Sequence, residues 1–146
     1  MNRPAPRRDT EAPRLDLVGA GLLAFGVYQI AIGLFMAVAP GTFFEELAAF
    51  GVRNDHYIRD LATFELPLGV VFLVAVFRPG WRVPALAFGV LHFALHSVSH
   101  LVDIGEADPE WLGPSVFVAL AVGTAILGWL LWRAIEDGRE RARGAS

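Results

Sequence analysis

The sequence predicts an all-α membrane protein: an antiparallel bundle of four transmembrane helices, with cytoplasmic termini and a short interfacial helix after the first span. Three observations predict it. The 146 residues are 55% hydrophobic and only 18% charged, with a mean hydropathy of +0.49. That balance does not suit a soluble domain. Four apolar stretches approach the roughly 20 residues that cross a bilayer as helix. The connections between them alternate in charge. Ten of the twelve basic residues, all arginine, fall in the two tails and the 77–84 turn: Arg3, Arg7, Arg8, Arg14, Arg78, Arg82, Arg133, Arg139, Arg141 and Arg143. The other two connections carry Glu45, Glu46, Asp55, Asp60, Asp103, Glu106, Asp108 and Glu110. The positive-inside rule then places the chain in the inner (plasma) membrane with both tails in the cytoplasm.

The first span is about Leu15 to Ala39, closed by Pro40. Its Arg-rich lead has the outline of a signal peptide, and Ala37-Val38-Ala39 has the small-x-small pattern of a cleavage site. The apolar run is longer than a signal core of roughly 7–15 residues, and a proline would follow the cut, so it reads as a permanent helix. GTFFEELAAFG comes next. Thr42 and Glu45 have capping-box spacing, and Phe43, Leu47 and Phe50 share a face, which predicts a short helix in the interface or folded over the bundle mouth.

The second span runs from about Ile58 to Phe77 and is entered through NDHYIRD, with Asn54 or Asp55 as its cap. RPGWRVP makes a tight turn, so spans two and three are neighbours. Span three rises from about Pro84 to Leu101, and IGEADPEWLGP forms an acidic outer loop. The fourth span, about Ser115 to Trp132, ends at the Arg-rich tail, with Trp111, Trp129 and Trp132 at its ends as in an aromatic belt. Gly19, Gly26 and Gly33 stand at heptad spacing on span one, and Ala119, Gly123 and Gly128 on span four, where small residues let helices approach closely in lipid. The domain is thus 15–132, with tails 1–14 and 133–146.

The chemistry concentrates in HFALHSVSHLVD. His92, His96, Ser99, His100 and Asp103 lie within an arc of roughly 100° on one helix face. The fourth histidine, His56, and the carboxylates Asp60 and Glu65 stand on span two. At about 1.5 Å per residue, Glu65 lies roughly 10 Å below the outer end of its span, between His96 at about 8 Å and His92 at about 14 Å. A carboxylate facing lipid at a helix centre costs roughly 2.5–3.5 kcal/mol on insertion scales, so Glu65 should turn inward toward those histidines. On a straight helix His56, Asp60, Thr63 and Pro67 share a face about 140° from Glu65.

Histidines at i and i+4 form a chelating pair. One site would join His92 and His96 with Glu65. An outer one would join His96 and His100 with Asp103, Asp60 and His56. Nitrogen and oxygen donors suit Zn²⁺, Fe or Cu²⁺ and disfavour Cu⁺. The chain has no cysteine, which removes disulfides, thiolate sites and iron–sulfur clusters. Haem is disfavoured because only span three offers deep histidines. Two other readings stay open: a hydrogen-bonded polar seam, with Thr63, Gln29 and Ser99 as further partners, in a non-enzymatic membrane subunit, and a proton or small-molecule relay. No nucleophile–base pair, phosphate loop or nucleotide fingerprint occurs. The expected partners are the lipid bilayer and a membrane protein or second copy, not nucleic acid.

The order of four apolar spans, with FGVRNDHYIRDLATFELPLGVVFLVAVF at the second and HFALHSVSHLVD at the third, resembles the DoxX-like and related four-helix families of small bacterial membrane proteins. The likeness covers roughly Leu15 to Trp132 and rests on architecture and on the Asn-Asp-His plus Arg-Asp entry to span two. It implies the fold and the location and transfers no catalytic residue.

Overall fold

Helix starts are set by side chains that satisfy otherwise unpaired backbone N–H groups. In the computed structural model, which describes residues 15–144, Asp16 is extended and its carboxylate accepts from Gly19 N at 2.7 Å, opening α1 (Leu17–Val38). The N-terminal tail, residues 1–14, lies outside the described residues. The helix α2 (Pro40–Leu47) follows after a one-residue break. Here the expected capping box is replaced: Pro40 takes the first helical position, Ala39 is the cap residue, and no side chain caps the helix. Proline presets the helical φ and has no N–H to satisfy, so Thr42 is left inside the helix rather than at its start. Asn54 does cap α3 (Asp55–Phe77), accepting from Tyr57 N at 3.1 Å.

A single 3₁₀ turn, Pro79–Trp81, joins α3 to α4 (Arg82–Val102). The last helix, α5 (Leu112–Gly144), does not stop at Trp132. No proline follows Trp132 within it, Ala134 is buried, and Arg139 pairs with Glu136 one turn earlier at 2.6 Å. At 1.5 Å per residue it spans roughly 50 Å, more than the roughly 30 Å hydrocarbon core. Four of these helices, all but α2, are long and apolar enough to cross a membrane.

Long contacts join α1 to α3 and α4 to α5, whereas α3 and α4 touch over a much shorter length. The tight turn therefore makes spans two and three neighbours without zipping them together. The α1–α3 crossing is close at Gly26 and Gly69: a Cβ on Gly69 would stand 2.9 Å from Ile30 N and 3.0 Å from Gly26 O. Only a residue lacking Cβ allows backbones this near. Gly123 of α5 likewise makes room for Phe93 of α4, while Gly128 faces open space.

Two apolar clusters fix the ends. At the end carrying the Pro79–Trp81 turn, Val18 and Leu22 of α1, Phe72 and Val76 of α3, Leu86 of α4 and Leu127 of α5 share one core. At the other end, Met36, Phe43, Ile58 and Ala62 join α1, α2 and α3. α2 is thus folded against the long helices through Phe43. The connection after it is strapped across to the α4–α5 loop by Asp108 N donating to Ala49 O at 2.9 Å.

The turn end carries a feature that the charge pattern alone did not show. Arg82 is buried, and its Nη1 donates to Asp16 Oδ2 at 2.6 Å, tying the start of α4 to the start of α1. Burial opposes ionisation of Asp16. The Arg82 hydrogen bond and the Gly19 N–H outweigh it and hold the carboxyl below its ordinary range.

Candidate metal centre

Between the two helix pairs, toward the α2 end, the cores separate and leave a cavity of about 1030 Å³. Glu65 stands in its wall and is buried. The face of α3 that packs inward reads Ile58, Ala62, Glu65, Gly69, Phe72, Val76, the three- and four-residue spacing of a helix stripe. Glu65 is the one ionisable group on that stripe. His56, Asp60, Thr63 and Pro67 lie on the opposite, exposed face. The rotation of α3 about its axis turns Glu65 inward and the other four outward.

His92 meets Glu65 across the α3–α4 gap, with Nε2 3.2 Å from Oε1. The other carboxylate oxygen accepts from Gln29 Nε2 of α1, a buried contact. Three helices therefore converge on one carboxylate. His96 follows one turn along α4. Ligand atoms of Glu65, His92 and His96 all lie within 4.8 Å of one another. In a tetrahedral zinc site with bonds of about 2.0–2.1 Å, ligand atoms are roughly 3.3 Å apart. The Glu65–His92 separation of 3.2 Å is already close to that value, and His96 offers a ligand atom within 4.8 Å of both.

The remaining candidates divide. His100 Nε2 is 3.1 Å from His96 Nε2, and its ring packs edge-on against Phe50 at 4.7 Å between centroids. Its Nδ1 is buried without a partner. Asp103 lines the cavity farther out. His56 and Asp60 do not join them. They face each other at 3.5 Å with side chains 86% and 59% exposed, outside the cavity wall. Thr63 bonds back to Asp60 O at 2.6 Å, and Ser97 to Phe93 O at 2.7 Å, as hydroxyls in helices do. Ser99 lines the cavity.

The sequence placed Gln29 only among the partners of a polar seam or as a packing residue, not beside a metal site. Its signal was nevertheless present: it is the one amide in the apolar run of α1, and an amide at that depth needs a partner. Phe50, which closes over His100, carried no such signal.

Chemically, two imidazoles and a carboxylate make a nitrogen and oxygen donor set for a borderline divalent cation. Gln29 would orient the carboxylate and raise the specificity of its geometry, as outer partners of metal ligands do. No protein-family model, curated protein or solved structure matches this chain.

Proposed function

We propose that this chain is an antiparallel four-helix protein of the plasma membrane that binds a divalent transition metal through Glu65, His92 and His96. The observation that carries the reading is the convergence of those three side chains at one level. Zn²⁺, Fe²⁺ or Cu²⁺ fits the donor set, and the bound ion would supply Lewis-acid or redox-linked chemistry to whatever enters the cavity. His100 and Asp103 form the outer vestibule through which an ion reaches His96. The termini lie in the cytoplasm, since Arg78, Arg82, Arg133, Arg139 and Arg141 stand at the turn end while the connections at the α2 end are rich in carboxylates. Membership among DoxX-like small membrane proteins is part of the same proposal and rests on the span order and the entry to α3.

A second reading has its own support. Gln29 and His92 already satisfy both oxygens of Glu65, which is what a structural polar seam requires. In that case the protein is a membrane subunit whose seam fixes packing for a partner or a second copy.

Elemental analysis of the purified protein separates the two. The metal reading expects a near-stoichiometric ion that is lost in both His92→Ala and His96→Ala while the helices remain folded. Metal-free protein that stays folded and takes up neither Zn²⁺ nor Fe²⁺ would leave the seam.

A further inference from the structure

The cavity is far larger than an ion needs. Its volume of about 1030 Å³ matches sites that enclose whole organic molecules. Apart from the Glu65 and histidine floor, its walls are largely apolar, with Phe25, Ile32, Met36 and Phe93 among them. Several wall residues keep much of their surface exposed: Tyr28 of α1, Leu61 and Phe64 of α3, Val122 and Ile126 of α5. α1 and α5 touch only briefly, so in a membrane the cavity opens sideways to the lipid between them as well as toward the α2 end.

Charge identifies the head of the molecule that fits. A divalent ion on one carboxylate and two neutral imidazoles leaves a net single positive charge. In a low-dielectric site that charge attracts a monoanion; the one other carboxylate in the wall, Asp103, stands seven residues beyond His96, roughly 10 Å along α4. Without the ion, the Glu65 carboxylate repels the same head. The tail contributes differently. Lipid is as apolar as the cavity wall, so a chain gains little by leaving the bilayer. The wall therefore positions the tail, and the metal supplies the affinity.

From this we infer that the cavity holds a single-chain carboxylic acid drawn from the bilayer, its carboxylate completing the coordination of the ion on Glu65, His92 and His96. The inference rests on the proposed metal site and adds the class of molecule that the site receives. A carboxylate ligand enters by displacing water from the ion, with no bond to carbon made or broken.

The test uses the full chain in nanodiscs of zwitterionic phospholipid, with the metal content of each sample measured alongside binding. The probe is radiolabelled dodecanoate, compared with dodecanol and acetate. Zinc-loaded protein should bind dodecanoate saturably and at least tenfold tighter than metal-free protein does. Dodecanol and acetate should each compete at least tenfold more weakly. Ala119→Trp, at the exposed α5 rim of the cavity, should keep the metal and lose dodecanoate at least tenfold. Equal binding with and without zinc, equal competition by dodecanol, or unaltered binding in Ala119→Trp would each overturn the inference. Protein that holds stoichiometric zinc yet takes up no dodecanoate would overturn it and leave the metal site standing. Protein that takes up no zinc at all would remove the metal site and this inference together.

Discussion

Glu65 and His92 stand on different helices, and their side chains meet at 3.2 Å in a place where neither could face lipid cheaply. The relationship predicts a ranking of variants. Removing a direct ligand should cost more than the roughly 10–100-fold lost when an outer partner of a metal site is removed. Glu65→Gln and His92→Ala are therefore expected to lower Zn²⁺ affinity by about 100-fold or more, read by competition with a chromophoric chelator. His56→Ala and Asp60→Ala, whose side chains are solvent-facing and outside the cavity, should stay within about twofold, because exposed charges are well screened. Equal losses across the set would mean that the ion sits elsewhere.

Gln29 separates a metal site from a seam. Gln29→Leu leaves one buried oxygen of Glu65 without its donor, which costs about 1–3 kcal/mol. Both readings therefore expect a lower unfolding temperature in detergent. Only the metal reading also expects zinc affinity to fall by roughly 10–100-fold, the effect of losing an orienting partner. Lower stability with unchanged affinity would favour the seam.

The Asp16–Arg82 pair predicts a pH dependence. Asp16 is held below its ordinary value of 3.8, so its contribution is complete above that value and is lost as the pH falls through the lowered one. Its side chain is half exposed, so solvent screening keeps the net ionic contribution below about 1 kcal/mol. Asp16→Asn keeps an acceptor for Gly19 N and should cost little. Asp16→Ala also removes the helix cap, which is worth about 0.5–2 kcal/mol. Thermal unfolding should rank wild type above Asp16→Asn above Asp16→Ala at neutral pH. The gap between wild type and Asp16→Asn should close as the pH is taken below 3.8. A gap that widens in acid would show that the pair is not what distinguishes them.

The absence of cysteine makes orientation directly measurable. Single cysteines at Asp108 and Gly138 lie in the α4–α5 loop and in the α5 extension. In intact cells an impermeant maleimide should label the first and reach the second only after permeabilisation. The reverse pattern would invert the protein and put the cavity mouth on the cytoplasmic side.

Much of the fold could be read from composition because a membrane span leaves few options: a long apolar run must be helical, since lipid offers no partner to its backbone groups. What fixed the site was rotational phase. The i, i+4 spacing of His92 and His96 put them on one face, and the depth of Glu65 put it at their level. The cost of a charge in lipid predicted that Glu65 turned inward, and the close α1–α3 crossing at Gly26 and Gly69 holds that face of α3 against the bundle. The same crossing carries Gln29 to Glu65. The α2 start was misread because the residue before the helix, Ala39, caps it without a side chain. The α5 extension was missed because hydropathy marks where lipid ends, not where a helix ends. The outer group of ligands was over-inclusive for a similar reason: sequence depth alone cannot tell the exposed His56 and Asp60 from residues inside.

If one carboxylate and two imidazoles from facing helices share an ion, X-ray absorption at the zinc edge of the loaded protein will show it. The expected first shell is nitrogen and oxygen at about 2.0–2.1 Å, with the outer scattering of two imidazoles, falling to one in His92→Ala. A shell of oxygen alone, or imidazole scattering that does not change in His92→Ala, would contradict it.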